Sequence, residues 1–208
     1  MLKIIPENNH LAIKKTIEIL NQGGLVCFPT ETVYALACDI NNQDAINKIY
    51  NLKKRDRNKP LAILCSDLKQ AEPFVEINSI IKTLSKHFSP GPITYVTNLK
   101  PSMAEKLSFT TNNKIGFRIP QNEFALNLLR NFNNPLVATS ANISGEKSSS
   151  NIYEITQYFR EEADIKLIID GGESTLGIPS TVLDVSSSVT LILREGIITA
   201  ADIKKIIK

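Results

Sequence analysis

The 208-residue chain is 42% apolar and 22% charged, with 24 Lys and Arg against 21 Asp and Glu for a net charge of +3. That balance describes a globular chain with enough length for a substantial core, and it predicts a single domain over 1–208. No apolar run reaches about 18 residues, which argues against a membrane-spanning helix, and the first residues lack the order of a secretory signal, so a cytoplasmic protein with no membrane partner is expected.

In chain order, Leu11, Ile13, Ile17 and Leu20 recur at helical spacing within 9–22, and Gly23-Gly24 supplies a stop. A short strand, LVCFP, follows at 25–29. The next helix is expected near 43–55, and PLAILC at 60–65 is a compact apolar run of the kind that forms a buried strand. Further helices are expected near 77–88, 122–132, 153–162 and 199–207, and strands near 93–98, 114–119, 135–139, 166–170, 181–185 and 189–194. Such mixing predicts an α/β or α+β domain with one central sheet covered by helices. Residues 144–151 and 171–181 are rich in Gly, Ser and Thr and read as loops. Cys27, Cys38 and Cys65 sit among apolar neighbours, which fits buried thiols better than disulfides or a zinc site.

Several stretches carry polar groups where the apolar pattern breaks. In FPTET, at 28–32, Pro29 cannot continue a central strand, and Thr30 is placed to cap a helix start; the alternative is an anion site built from hydroxyls and helix N–H groups. KKRDRNK, at 53–59, packs five of the 24 basic residues into seven positions. It reads either as a solvated helix end or, with Lys53, Arg55 and Lys59 beside the next strand, as a phosphate contact. TSANISG, at 139–145, leaves an apolar run into a small polar turn, either an ordinary turn or a site for nucleotide contacts. Arg118 and Arg194 lie in or just after strand-like runs, where a charge requires a partner or an anionic ligand. No HExxH, CxxC, GxSxG or P-loop pattern is present, so the groups available suit anion binding and alignment without a covalent nucleophile.

Taken together and in this order, FPTETVYAL, KKRDRNKPL, PGPIT at 90–94, FRIP at 117–120, TSANISG, PST at 179–181 with VLD after it, and LREG at 193–196 resemble the threonylcarbamoyl-AMP synthases, also called the YrdC or Sua5 family. The resemblance implies a twisted open sheet flanked by helices around a concave basic cavity. The reaction it implies joins L-threonine, bicarbonate and ATP into L-threonylcarbamoyladenylate with release of pyrophosphate, usually with Mg²⁺. That product serves the N6-threonylcarbamoyladenosine modification at position 37 of tRNAs reading ANN codons, with transfer left to partner proteins.

By the same resemblance, Thr32, Arg118 and Ser180 hold threonine, with Arg118 on its carboxylate. Lys53 and Arg55 are the catalytic pair, Lys53, Arg55 and Lys59 face the phosphates, and Ser140, Asn142 and Arg194 contact the nucleotide. Mg²⁺ is expected on phosphates and water, with no protein metal site. Departures from the family pattern fall at Ala35 and Ala37, where glycines are frequent, at Lys54 and Asp56 around Arg55, at Leu64, and at Gln121-Asn122. The resemblance is to the short branch, without an extra C-terminal domain. The alternatives are an RNA-binding protein that uses the basic groups alone, and a carbamoylation-related paralogue.

Overall fold

The computed structural model describes residues 2–159 and 163–207. The chain order is β1 (Lys3–Pro6), α1 (Ala12–Asn21), β2 (Leu25–Phe28), β3 (Ala35–Asp39), α2 (Gln43–Leu52), β4 (Ala62–Leu64), α3 (Leu68–Ala71), α4 (Ser79–Phe88), β5 (Ile93–Asn98), β6 (Lys114–Arg118), α5 (Glu123–Phe132), β7 (Leu136–Ser140), α6 (Ile152–Phe159), β8 (Ile165–Asp170), β9 (Thr181–Asp184), β10 (Leu191–Arg194) and α7 (Ala200–Ile206). All the strands join one mixed sheet in the order β1-β8-β2-β3-β7-β4-β6-β5-β9-β10. The expected mixed α/β class with a single helix-covered sheet is what the structure shows.

Most of the helices start where a short polar side chain accepts a backbone N–H, α1 with Leu11 at its start being an exception. Asn42, Asn78 and Asn122 do so for Ala45, Ile81 and Ala125, each at 2.9 Å. Thr199 and Asp202 form a reciprocal capping box on α7. The helix expected to extend to 162 is described to Phe159; residues 160–162 lie outside the described residues.

Two expectations are corrected. No helix follows FPTET: residues 29–34 form a loop that returns the chain into β3, antiparallel to both β2 and β7. Thr30 therefore caps no helix; its Oγ1 donates to the Val33 carbonyl at 2.6 Å and closes the loop instead. Ala35, Leu36, Ala37 and Cys38 are buried, and a strand whose residues are apolar on both faces shows no polar alternation to read. The edge strand β1, parallel to β8, was likewise not anticipated from its four residues ending in proline.

The sheet separates two hydrophobic clusters. Leu36, Ile63, Val137, Phe117 and Tyr95 point into the larger one with Ile49 of α2 and Leu84 of α4. The opposite face is covered by α1 and α5 only over part of its width, through Leu20, Leu128 and Leu129 on Val26, Phe28 and Leu136. Ala35, Leu64 and Ala138 stand at the margin of that covered part, and beyond them the same face borders open space.

Candidate functional site

That open half-face is a cavity of about 810 Å³. Its floor is built of small side chains, Ala35, Ala138, Ala62 and Gly116, on adjacent strands β3, β7, β4 and β6. A Cβ on Gly116 would stand 3.3 Å from both the Ala62 Cβ and the Thr94 methyl, so the floor has no room to rise there. Of the departures noted in the sequence, Ala35 and Leu64 line the cavity directly. Asn122 is a helix cap, and Gln121 beside it is exposed, so neither reaches the wall.

One end of the cavity is dry in the sense that Thr32, Arg118 and Ser180 are buried at 0%, 7% and 5% exposure, and it is closely bonded. The parallel pairing of β4 with β6 sets Leu64 beside Arg118, whose side chain bridges to the FPTET loop. The guanidinium donates from Nη1 to the Thr32 Oγ1 at 2.7 Å and from Nε to the Gly91 carbonyl at 3.2 Å. Its Nη2 lies 2.6 Å from Oε2 of Glu31. That contact runs off the hydrogen-bonding direction, so both Glu31 oxygens and Nη2 are buried without an aligned partner. Burial draws the Arg118 pKa down, while the Glu31 charge works the other way. Thr32 also meets Thr30, hydroxyl to hydroxyl at 2.9 Å. Ser180 completes this end through its Oγ, 2.8 Å from the hydroxyl of Thr94, which the parallel β5–β9 pairing brings alongside.

The other end carries charge with few acidic partners. Arg55, Lys59 and Arg194 line it. Arg55 donates to the carbonyls of Lys59 and Pro60 at 3.2 and 3.0 Å, which curls the 55–60 turn around its own guanidinium. Arg194 donates from Nε and Nη2 to the Ser180 carbonyl at 3.1 and 2.8 Å, tying the rim to the dry end. Burial draws its pKa down, and the charges of Arg118 and Arg55 draw it down further. Lys114 also lines the wall but is paired with Asp184 at 2.8 Å. Lys114, Asp184 and Thr94 were missed as wall residues because 86 positions separate Thr94 from Ser180, and strand order alone brings them together.

Two residues expected to contact ligand do not line the cavity. Lys53 does not face the cavity: α2 ends at Leu52, Lys54 takes a left-handed turn (φ 51°), and the Lys53 side chain goes inside at 1% exposure. Its ammonium donates to the carbonyls of Ser140 and Asn142, each at 2.5 Å. Burial, with Arg55 nearby, draws its pKa down to about 7. Asn142 is buried too, and its Nδ2 donates to the carbonyls of Ile143 and Glu146 at 2.8 Å, shaping the turn after β7. Neither residue lines the cavity, whereas Ser140 does. Arg57 also turns away, with its guanidinium 5.4 Å from the Tyr50 ring centre. Cys27, Cys38 and Cys65 are buried free thiols. Among the described residues, no cluster of three His, Cys, Asp or Glu side chains is placed to hold a metal ion, and no helix is long and apolar enough to cross a membrane.

Comparison with known proteins places this geometry. The family model for the Sua5, YciO and YrdC proteins, described as "Telomere recombination", matches residues 18–196. A relative from Pyrococcus abyssi named threonylcarbamoyl-AMP synthase is 34% identical over 90% of this chain, which spans 55% of that relative's length. The solved structure of P. abyssi Sua5 complexed with L-threonine superposes with a TM-score of 0.90 at 31% identity, over 100% of this chain and 61% of that one. Escherichia coli YciO, 28% identical, superposes with a TM-score of 0.83 over 95% of this chain and 96% of its own.

Proposed function

The chain belongs to the Sua5/YciO/YrdC family, and from that premise we propose that it is an L-threonylcarbamoyladenylate synthase, a nucleotidyltransferase that joins L-threonine, bicarbonate and ATP. The observation that carries the reading is one cavity with two unlike ends: a buried Thr32–Arg118–Ser180 end of amino-acid scale, opening onto the Arg55, Lys59 and Arg194 rim. The volume of about 810 Å³ falls within the usual range for small-molecule sites.

In this reading Arg118 takes the threonine carboxylate and Thr32 and Ser180 supply hydroxyl contacts, which leaves the amine directed along the cavity. The amine takes up bicarbonate to give a carbamate with loss of water. A carbamate oxygen then attacks the α-phosphorus of ATP, the bond to the bridging oxygen of the β-phosphate breaks, and pyrophosphate leaves. Arg55, Lys59 and Arg194 neutralise the phosphate charge, and Ser140 lies against the nucleotide. Lys53 and Asn142 serve from inside by holding the turn that carries Ser140. The donor set does not fit a protein-held Mg²⁺, because Asp184, the one carboxylate on the wall among the described residues, is committed to Lys114; Mg²⁺ would arrive on the triphosphate. The adenylate then feeds N6-threonylcarbamoyladenosine formation at position 37 of ANN-decoding tRNAs, through separate transfer proteins, in the cytoplasm.

The test is pyrophosphate release from ATP by the purified chain, with L-threonine and bicarbonate each present or withheld. The expected result is release that requires both. Release supported by carbamoyl phosphate in their place would assign a carbamoylation-related activity, and salt-sensitive RNA binding without turnover would assign a binding protein.

A further inference from the structure

Among the described residues Arg118 has three partners, and the only charged one is the least well aligned. Glu31 is 7% exposed, and its Oε2 lies 2.6 Å from Nη2, yet neither carboxylate oxygen has a donor along a hydrogen-bonding direction. A buried ion pair kept for stability alone would be expected to satisfy those lone pairs, since a buried carboxylate without donors is costly.

The loop leaves Glu31 little freedom to improve the contact. Its carbonyl accepts from the Leu176 N–H at 2.8 Å and from the Thr175 hydroxyl at 3.2 Å, and Thr30 fastens the same loop to the Val33 carbonyl. Arg118 is steered from three directions, by Gly91, Thr32 and Glu31. Arg118 lines the cavity and Glu31 does not, so the carboxylate stands behind the guanidinium, on the side away from a ligand.

We propose that Glu31 is a positioning residue that acts through Arg118, fixing the guanidinium plane from the protein side so that its cavity side meets the carboxylate of an amino-acid substrate. This rests on the amino-acid reading of the dry end given above. Because the pair is close to neutral, Arg118 selects a carboxylate by direction more than by net charge. Glu31 itself touches no substrate.

The experiment is calorimetric titration of the full chain with L-threonine and with L-threoninol, in which the carboxylate is replaced by a hydroxymethyl group. It is run on the wild type, Glu31→Gln and Glu31→Asp, with circular dichroism to check folding. The wild type is expected to prefer threonine. Glu31→Gln, close in shape but uncharged, should weaken threonine about tenfold or more while threoninol changes by less than about twofold, so the preference shrinks. Glu31→Asp, which withdraws the carboxylate by one methylene, should shift the preference the same way. Equal weakening of both ligands, or an unchanged preference, overturns the proposal, and so does loss of folding in both variants, which would make Glu31 a stability residue. If the wild type binds neither ligand, it is the amino-acid reading of the cavity that fails.

Discussion

The dry end of the cavity and its basic rim both rely on arginine, but they hold it differently. Arg118 is buried, hydrogen-bonded to Thr32 and Gly91, and faced by Glu31, whereas Arg55 is half-buried and, among the described residues, bonds only to the carbonyls of its own turn. Arg194 is the most exposed of the three, with its guanidinium partly desolvated, and among the described residues it donates to Ser180 alone, at the carbonyl and at the hydroxyl. A buried, paired arginine fixes geometry, and its removal strands the carboxylate that faces it. A rim of arginines without carboxylates leaves charge available to a ligand and open to screening by salt.

Replacing Arg118 should therefore have the largest effect, and it should appear in stability as well as in binding. Arg118→Ala strands the buried Glu31 carboxylate, so denaturant unfolding should show a loss of roughly 3–5 kcal/mol together with loss of threonine binding. A loss under about 1 kcal/mol would mean that the dry end is wetter than its burial indicates.

Arg55→Ala should reverse the pattern. Stability should change little, while the ATP requirement rises by the equivalent of roughly 1.5–3 kcal/mol, since a hydrogen bond from a charged group is at stake. The defect should resemble raising the salt concentration on the wild type. An equal loss for threonine and ATP would erase the distinction between the two ends.

Lys53 sharpens the comparison from inside. Its pKa is drawn down by burial from 10.5 to about 7, so between those values the unfolded chain binds more protons than the folded one. The contribution of this group to stability must then rise with pH across that window, with the full penalty of burying the ammonium present below it. Thermal unfolding from pH 7 to 10 should show the wild type gaining on Lys53→Met as pH increases. A constant difference between the two would contradict a depressed Lys53.

The smallest expected effect is a control that lies outside both ends. Asn122→Ala removes the cap on α5 and should cost about 1 kcal/mol in unfolding with no change in either substrate requirement. A kinetic defect would place the residues after FRIP in contact with substrate after all.

These contrasts also show what local sequence could convey. Helices with an Asn or Thr cap and an apolar stripe were readable, as were strands such as Ile93–Asn98, because each signal sits within a few residues. β3 was not, since a central strand with apolar residues on both faces loses its alternation, and the hydroxyl of Thr30 serves a loop as readily as a helix. The basic run was legible as a cluster but not in its directions. Lys53 and Arg55 are two positions apart, yet a left-handed turn at Lys54 sends one into the interior and leaves the other on the wall. Family resemblance named the residues that gather near the cavity, and burial then separated those that line it from those that support it.

The central claim is that one cavity joins threonine, bicarbonate and ATP. The most direct test is mass spectrometry of the product formed from L-threonine, ATP and ¹³C-labelled bicarbonate. The account predicts a threonylcarbamoyl adenylate that carries the label and disappears when threonine is withheld. Continued ATP consumption with no labelled adenylate would contradict it.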